Sequence, residues 1–193
     1  LVGLLGPNGA GKSTLMKLLV AALLPTTGSI LVDGQPLTRV ERQLKARLGY
    51  LPQDFGLFDE LTVEQFLDYM AALKGLRSSR AVIRQVIRSV NLEEKARAKI
   101  RTLSGGQRQR VGIAMAMTFQ PKLLLADEPT SALDVTTQAQ IVRQMLELRD
   151  TYGTAILLVT HNLAVAAYMA SRILVMRNGS TVEQGDRESL LRS

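Results

Sequence analysis

The sequence contains no cysteine and only a single histidine. Without cysteine the chain can form neither a disulfide nor a thiolate metal site, although this absence alone does not fix its compartment. Its longest apolar run, LLVAALL at 18–24, is far shorter than the roughly 20 residues needed to cross a bilayer. The segment LVGLLGPNG at its start has neither the basic region nor the cleavage site of a secretory signal. We therefore expect a soluble protein whose action at a membrane would require a partner.

Length and composition are those of an ordinary globular chain. Its 193 residues suffice for one substantial core with a small lobe, but not for two large domains. The hydrophobic content of 46% and the charged content of 21% are typical of globular rather than disordered proteins. The sequence does not begin with Met, which favours a fragment of a longer protein.

Positive charge is concentrated in one part of the chain. Between Lys74 and Arg110 there are eleven Lys or Arg residues and only two acids. We expect a solvated helix face, and the alternative is a contact surface for a partner protein, anionic lipid or nucleic acid. This part has no aromatic residue, which counts against stacking on single-stranded nucleic acid. Four of its arginines recur at helical spacing opposite an apolar stripe: Arg77, Arg80, Arg84 and Arg88.

Apolar strands alternate with helices along most of the chain. The residue pattern predicts strands at 1–5, 29–34, 47–52, 122–127, 155–160 and 172–177. Helices are predicted after the Ser-Gly-Gly stretch, between the last two strands, and at 12–23, 62–73, 79–90 and 134–150. This alternation is typical of an α/β fold with a mostly parallel sheet covered on both faces. Residues 56–104 have mainly helical patterns, so we expect a small helical lobe inserted into a core of residues 1–55 and 105–193.

The segment GPNGAGKS at 6–13 matches the spacing of a phosphate-binding P-loop. It follows a predicted strand and opens a predicted helix, which is the context that such a loop requires. Glycines let backbone N–H groups turn towards a phosphate, and the helix N-terminus adds the positive end of its dipole. Lys12 is therefore expected to reach the β- and γ-phosphates of a nucleotide, and the Ser13 hydroxyl to bind Mg²⁺.

A second motif, LLLADEP at 123–129, places two acids at the end of a buried strand. In an open α/β sheet such a strand end lies beside the P-loop. Asp127 is expected to hold Mg²⁺, and Glu128 to orient an attacking water. Alone, the two acids would also be compatible with a solvated turn. Together with a P-loop they indicate a metal-dependent phosphate site.

Two further polar residues follow predicted strands. His161 ends the strand AILLVT, and a lone histidine is more often structural than functional. Its strand and that of Asp127 end at the same edge of the sheet, where ligands bind, so a functional role is favoured. Gln53 follows the strand RLGYLP, where the inserted lobe begins. Its amide is expected to touch Mg²⁺ or water, and the alternative is the capping of a turn.

The stretch LSGGQRQR at 103–110 opens another predicted helix. Ser104, with Gln107 three residues later, matches a capping box. A capping box does not require Gly105 and Gly106, each of which costs a helix roughly 1 kcal/mol. Small residues at a helix start let a phosphate approach the backbone closely. This stretch is therefore a second candidate anion site.

The P-loop, Gln53, LSGGQ, LLLADEP, SALD at 131–134 and His161 occur in the order in which they occur in the ATP-binding cassette family, which the sequence resembles over nearly its whole length. The resemblance implies an ATPase that uses ATP and Mg²⁺, dimerises head to tail with a second ATPase subunit and powers a separate membrane permease. In such a dimer the LSGGQ signature of one subunit closes over the nucleotide on the P-loop of the other. The implied location is cytoplasmic, on the inner face of the cell membrane, and no nucleic-acid partner is expected.

The resemblance also implies roles for single residues. Glu128 is the implied general base, His161 contacts the γ-phosphate, and Lys12 acts on the phosphates. Mg²⁺ is expected on Ser13, Gln53 and Asp127, with Gln53 relaying to the partner. The nucleotide is expected on the P-loop, on the signature of the other subunit and at the dimer seam, which together comprise Gly6, Pro7, Asn8, Gly9, Ala10, Gly11, Lys12, Ser13, Thr14, Ser104, Gly105, Gly106, Gln107 and Asp134.

The sequence departs from the family before the P-loop, where members carry an antiparallel β layer and an aromatic residue that stacks on adenine. Both are missing, and because such stacking contributes about 1–3 kcal/mol, weak nucleotide affinity and reduced stability are expected. The segment from LGYLPQDF to AALKGL resembles ATPases of export-type permeases, and the segment from LSGGQRQR to QAQIV resembles those of peptide importers. A chimera or a less familiar branch would produce this mixture.

Two other functions are open. The first is a cassette ATPase acting on nucleic acid or the ribosome, and the second is a nucleotide-binding module without turnover. The long coiled coil of chromosome and repair members is absent, and so is the second cassette of translation members. The module without turnover is favoured only by the missing start.

Overall fold

The computed structural model describes residues 1–75 and 80–190. The strands, in chain order, are β1 Val2–Leu5, β2 Leu31–Val32, β3 Gln35–Pro36, β4 Leu48–Leu51, β5 Leu123–Asp127, β6 Ala155–Thr160, β7 Arg172–Arg177 and β8 Ser180–Asp186. The α-helices are α1 Lys12–Leu19, α2 Leu37–Arg47, α3 Val63–Leu73, α4 Arg80–Ser89, α5 Gly105–Met117, α6 Val135–Tyr152, α7 Leu163–Met169 and α8 Arg187–Leu190. Short 3₁₀ turns occupy Glu93–Lys95 and Ile100–Thr102.

A six-stranded sheet forms the centre of the structure, in the order β4-β5-β6-β1-β7-β8. All neighbouring pairs except β7 and β8 are parallel, which confirms the mostly parallel sheet expected from the sequence. In this register Leu51 lies opposite Ala126, Asp127 opposite Val159, and Leu5 opposite Thr160. The residues that follow β1, β4, β5 and β6 therefore emerge at one edge of the sheet.

The sheet is covered on both faces. Leu124 and Ala126 belong to a buried cluster with the apolar residues of α3, α4, α5 and α6. Leu125, between them, instead packs with Met16 of α1 and with Leu4 and Val159. Successive strand residues point to opposite faces, so the unbroken apolar run in β5 is explained by burial on both sides. Within residues 1–75 and 80–190 no helix is both long and apolar enough to cross a membrane.

Three elements differ from the sequence expectations. Helix α2 was not predicted, although Leu37, Val40 and Leu44 recur on one face of it. The expected strand at 29–34 is reduced to β2, which pairs only with β3 in a separate small sheet. Strand β8 has no apolar alternation, and it forms because the Asn-Gly turn before it, with positive φ at both residues, folds it back onto β7.

The helices between β4 and β5 begin close to where the inserted lobe was predicted. The predicted helix at 62–73 is α3, and its capping box at Thr62 and Gln65 is formed. The predicted helix at 79–90 is described as α4, from Arg80 onwards, while Arg77 and position 79 lie outside the described residues. The division of the chain into a core and a lobe at 56–104 stays a prediction.

Candidate nucleotide-binding site

A cavity of about 260 Å³ lies at the sheet edge where β1, β4 and β5 end. It brings together three segments that the sequence analysis singled out separately: the P-loop, Gln53 in the loop after β4 and the second acid of LLLADEP. Its lining residues are Asn8, Gly9, Ala10, Gly11, Lys12, Ser13, Gln53 and Glu128.

The P-loop backbone has the conformation that its glycines permit. Gly9 and Gly11 have φ values of 81° and 96°, in the left-handed region that side chains disfavour. At Gly6, a Cβ would collide with the backbone oxygen of Met176. Gly11 is the N-cap of α1 and contributes no side-chain cap, so the first N–H groups of the helix are free to face a ligand.

The turn between β7 and β8 packs against the P-loop and supports it. The sequence analysis missed this role. The Gly179 N–H donates to the Ala10 carbonyl oxygen over 3.0 Å. A Cβ on Gly11 would lie 3.4 Å from the Gly179 Cα, so the two glycines allow close backbone approach. The Asn-Gly pair was the only available signal, and it indicated a turn without saying what the turn would touch.

Lys12 is buried in the first turn of α1 and bridges the P-loop. Its ammonium donates to the carbonyl oxygens of Gly6 and Pro7 over 2.7 and 3.0 Å. It also lies 4.0 Å from Glu128 Oε1. This single cation therefore faces both the loop and the acid across the cavity, where the phosphates of a nucleotide would enter.

Asp127 lies behind Lys12 at the end of β5 and is only 3% exposed. Burial raises the pKa of its carboxyl group, and the Glu128 charge adds to the increase. A hydrogen bond from the Ser13 side chain and the charges of Lys12 and Lys17 act in the opposite direction. Among the described residues, Asp127 Oδ1 has no hydrogen-bond partner. A buried carboxylate oxygen without a partner is costly unless something else binds it.

The residues around Asp127 fit a magnesium ion better than a metal held by protein ligands alone. Across residues 1–75 and 80–190 no cluster of three or more His, Asp or Glu residues is arranged to hold a metal. Mg²⁺ is usually bound through one or two carboxylates together with substrate phosphates and water. The free Oδ1 of Asp127 and the neighbouring Ser13 hydroxyl match that requirement.

Glu128 lies at a strained backbone position and contacts His161. Its φ is 49°, a value that costs a residue other than glycine energy, and its N–H donates to the Val159 oxygen over 2.9 Å. Glu128 Oε2 lies 3.1 Å from His161 Nδ1. The glutamate side chain is largely buried, whereas that of the histidine is half exposed. The register between β5 and β6 produces this pair, as expected for two residues that follow neighbouring strands.

Gln53 is exposed and faces the cavity directly from the loop after β4. No hydrogen bond joins its side chain to another residue of the described segments, so the turn-capping alternative gains no support. Thr14 is exposed in the first turn of α1, next to Ser13.

The signature LSGGQ lies at the N-terminus of α5. Ser104 Oγ accepts from the Gln107 N–H over 3.3 Å, and Gln107 Oε1 accepts from the Ser104 N–H over 3.0 Å. The predicted capping box is therefore formed. None of Ser104, Gly105, Gly106 or Gln107 is among the residues that line the P-loop cavity.

The two signature glycines have different surroundings. A Cβ on Gly106 would lie 2.5 Å from Thr137 Cγ2, so close packing against α6 requires a glycine there. A Cβ on Gly105 would only make an ordinary contact, 3.6 Å from Leu133 Cδ2. Packing thus explains Gly106, which the sequence analysis attributed to a phosphate alone, and leaves Gly105 without a structural requirement.

Asp134 is the N-cap of α6. Its carboxylate accepts from the Thr137 N–H over 2.9 Å and from the Thr137 hydroxyl over 2.6 Å. These hydrogen bonds lower the pKa of Asp134. Thr137 therefore holds Asp134 on one side and packs against Gly106 on the other. The sequence analysis did not single out Thr137.

Residues 1–131 match the protein-family model described as ABC transporter. The chain belongs to the ABC transporter family. The resemblance drawn from the six ordered motifs is thereby confirmed, and the P-loop, LSGGQ and LLLADEP all lie within the matched residues.

Among curated relatives, the methionine import ATP-binding protein MetN of Carboxydothermus hydrogenoformans is 38% identical over 189 residues, which cover 95% of this chain and 56% of that protein. MetN of Symbiobacterium thermophilum is 39% identical over 189 residues, covering 95% of this chain and 57% of that protein. This ABC family chain thus spans about half the length of the curated relatives that it matches.

Solved structures of ABC proteins share the fold. CbiO1 of Clostridium perfringens, part of the ABC transporter complex cbiONQ, has a TM-score of 0.89 and 27% identity, covering all of this chain and 79% of its own. A bacterial Atm1-family ABC exporter with ATP bound has a TM-score of 0.84 and 33% identity, covering 99% of this chain and 34% of its own. Import and export proteins both occur among these similar proteins.

Proposed function

We propose that this chain is the ATP-binding and ATP-hydrolysing domain of a membrane transporter. The observation that carries the proposal is the convergence of Lys12, Gln53 and Glu128 on one cavity, with the buried Asp127 and Ser13 behind it. A cation for phosphates, an acid for water and oxygen ligands for a metal are the groups that nucleotide hydrolysis requires. The match to the ABC transporter family supports the same function.

Mg²⁺ is the metal proposed for the site, held by Asp127 and Ser13 and approached by Gln53. When bound, the ion neutralises charge on the β- and γ-phosphates. Asp127 supplies a carboxylate whose Oδ1 has no other partner among the described residues. Ser13 supplies a hydroxyl that lies close enough to the same carboxylate to lower its pKa.

Glu128 is proposed as the general base that takes a proton from the attacking water. Its carboxylate faces the cavity and lies within 3.1 Å of His161 Nδ1. This contact fixes the orientation of the Glu128 side chain, as a neighbouring group does for many catalytic bases. His161 is proposed to contact the γ-phosphate as well, because its ring is half exposed beside the cavity wall.

Two copies of the chain are proposed to close head to tail around two ATP molecules. The signature residues lie outside the P-loop cavity of their own chain, yet Ser104 and Gly105 are exposed at the start of a helix. The N-terminus of a helix attracts an anion, and the nucleotide of a second subunit is the ligand proposed for it. Asp134 is also exposed and is proposed to lie at the seam between the subunits.

A membrane permease is the proposed partner outside the dimer, and the chain would then act peripherally on the inner face of the cell membrane. The proposed docking region is Gln53 and the helical lobe. Among the described residues of that lobe, three large hydrophobic side chains are exposed: Phe58, Tyr69 and Leu73. The Phe58 and Tyr69 rings are packed edge to face at 5.4 Å. Aromatic side chains are enriched at the centres of protein interfaces.

The basic stripe of α4 does not favour a nucleic-acid partner. Arg80 and Arg84 share a surface groove with the acids Glu64 and Asp68. Arg88 lies 3.5 Å from Glu93. Acids between the arginines reduce the continuous positive potential that phosphate backbones require, so the solvated helix face is the favoured interpretation.

The first test of ATP binding is Lys12→Ala. This change should weaken ATP binding more than ADP binding, because the ammonium faces the β- and γ-phosphate positions and ADP lacks the γ-phosphate. We expect a loss of about tenfold or more for ATP, since charge-assisted hydrogen bonds contribute about 1.5–3 kcal/mol each. Calorimetric titration with each nucleotide measures both affinities. Lys122→Ala, at an exposed lysine outside the cavity, is the matched control. Unchanged affinities, or equal losses of affinity for ATP and ADP, in Lys12→Ala would contradict the proposal.

The metal site predicts a conflict between function and stability at Asp127. Folding raises the pKa of this carboxyl group, so folding disfavours its ionised form. The stability of the fold therefore falls as the pH rises from the pKa of the group in the unfolded chain to its higher pKa in the folded chain. Asp127→Asn should therefore raise the unfolding temperature of the nucleotide-free protein by a few degrees at neutral pH, for a gain of about 1 kcal/mol, and should remove the effect of Mg²⁺ on ATP binding. Thermal unfolding at neutral and acid pH checks this, and a gain that does not shrink in acid would contradict the assignment.

The docking proposal predicts different effects for the exposed hydrophobic residues of the lobe and for its arginines. Phe58→Ser combined with Leu73→Ser should lower the fraction of chain recovered with membranes of its own organism by about tenfold, because each exposed anchor lost from an interface costs about 1 kcal/mol or more. Reversing the charge at Arg80 and Arg84 should leave that fraction unchanged. Basal ATP hydrolysis is the control for folding in both variants. Loss of recruitment in the arginine variant alone would assign the docking surface to the basic stripe.

A further inference from the structure

The segment that follows Gln53 is attached to the signature helix by an aromatic ring. The Phe55 ring packs directly over Gly112 in the middle of α5. A Cβ built on Gly112 would lie 2.6 and 2.8 Å from Phe55 Cε2 and Cε1, and closer still to Cζ. A Cβ at such distances would displace the ring, so the ring occupies a notch in the helix that glycine at position 112 leaves open.

A second contact joins the same two segments one helical turn away. Arg108 Nη2 donates to Asp59 Oδ1 over 2.5 Å. Arg108 and Gly112 are four residues apart and share a face of α5, while Phe55 and Asp59 are four residues apart in the loop. Both members of the ion pair are partly exposed, so it adds little stability, but it fixes the alignment of the loop along the helix.

The glycine at 112 is costly for the helix itself. In the interior of a helix, glycine is about 1 kcal/mol less favourable than alanine. Gly112 is buried in the interior of α5, away from the helix ends where a glycine would serve as a cap. The ring of Phe55 is the neighbour that this glycine accommodates, since the three atoms nearest to the position of a Cβ all belong to that ring.

We propose that Phe55 and Gly112 form a positioning contact that couples Gln53 in the P-loop cavity to the signature at the start of α5. The inference rests on the proposed function, in which Gln53 responds to nucleotide and the signature binds the nucleotide of a second subunit. Phe55 is two residues from Gln53. Gly106 is six residues from Gly112 along a rigid helix, a distance of about 9 Å. Because protein interiors are close-packed, a ring seated in a notch moves together with the helix that holds it.

The contact acts on the orientation of the signature and not on nucleotide contacts within one chain. Phe55 and Gly112 are not among the residues that line the cavity around the P-loop. A change at either residue should therefore leave ATP binding to a single subunit intact and slow the step that needs the signature. This split between affinity and turnover distinguishes a positioning role from ordinary core packing.

The test is made in the full transporter ATPase. It compares three variants, Gly112→Ala, Phe55→Ala and the double variant that carries both changes, with a fourth, Gln53→Ala. Gly112→Ala fills the notch and displaces the ring. We expect its kcat to fall roughly ten- to a hundredfold, because a misplacement of about 1 Å at a reacting site costs that much. ATP affinity should stay within about twofold of the parent, which is about 0.4 kcal/mol. The double variant should be no slower than either single variant, because both remove the same contact.

The chain offers a matched control next to Phe55. Gly56 is exposed, and a Cβ on it would meet no atom within 4 Å, so Gly56→Ala changes the same loop without touching the notch and should keep the parental kcat. Phe55→Leu in the Gly112→Ala background should recover part of the lost turnover, since leucine is smaller than the ring and can share the notch with a methyl group. Thermal unfolding of every variant shows whether the fold is kept.

Each result decides between the possible roles. Parental kcat in Gly112→Ala and Phe55→Ala, with slow Gln53→Ala, overturns the coupling contact and leaves the proposed function intact. Parental kcat in Gln53→Ala removes Gln53 from the proposed function, and the inference falls with it. Loss of ATP affinity in proportion to lost stability would mean that the pair only packs the core. If Gly112→Ala does not fold, Phe55→Leu alone, with the native glycine, gives the same decision from the loop side of the contact.

Discussion

Replacing Glu128 with glutamine should abolish ATP hydrolysis and leave ATP binding intact. The amide keeps the shape of the side chain but cannot accept a proton from water. Removing the negative charge 4.0 Å from the Lys12 ammonium should make ATP binding equal to or slightly tighter than that of the parent, because the γ-phosphate then meets less repulsion. We expect a fall in kcat of about a hundredfold or more, within the range contributed by general-base catalysis.

Phosphate release with ATP and Mg²⁺ measures the turnover, and calorimetry measures the binding. Glu94→Gln makes the same chemical change on the lobe surface, away from the cavity, and should behave like the parent. Because the Glu128 backbone is strained at a φ of 49°, unfolding temperatures of parent and variant should be compared as well. Near-parental phosphate release by a folded Glu128→Gln variant would remove Glu128 from the chemistry and leave the base unassigned.

The arrangement of the cavity was largely predictable from the sequence, because each of its residues follows a strand of recognisable type. Asp127 ends β5 after four apolar residues, and His161 follows β6, in which five apolar residues precede Thr160. Parallel pairing of such strands brings their ends to one edge, and the Glu128–His161 contact follows from that register. The P-loop was predictable for a similar reason, since glycines at positions 9 and 11 are the residues that its left-handed backbone angles require.

Contacts between segments far apart in the chain were not predictable, because they depend on how finished elements pack. The need for glycine at Gly106 comes from Thr137 on α6, and nothing in the local sequence indicates that α5 and α6 approach there. The notch at Gly112 is similar, since a glycine inside a helix is read locally as a weak point. Strand β8 carries no apolar alternation, and its pairing is set by the turn before it.

The role of the signature in a second subunit has a test in which two inactive variants restore each other. Lys12→Ala disables the P-loop side of a site, and Gly105→Asp places a carboxylate where a γ-phosphate should approach. Gly105 is preferred to Gly106 for this purpose, because a Cβ on Gly105 is tolerated while one on Gly106 would strike Thr137. Each homodimer should be inactive. In a mixed dimer one composite site contains both lesions, and the other site contains neither.

If half of the dimers are mixed and each retains one working site, activity should return to roughly a quarter of the parental value, by the symmetry of two equivalent sites. Mixing Lys12→Ala with Glu128→Gln is the matched control, because both lesions affect the P-loop side and every mixed dimer then carries one lesion in each site. That mixture should stay inactive at all ratios. Light scattering with ATP establishes that dimers are present. With dimers present, an inactive first mixture would mean that the signature acts within its own chain or that neither site works without the other, whereas activity in the control mixture would show that Lys12 and Glu128 serve different sites.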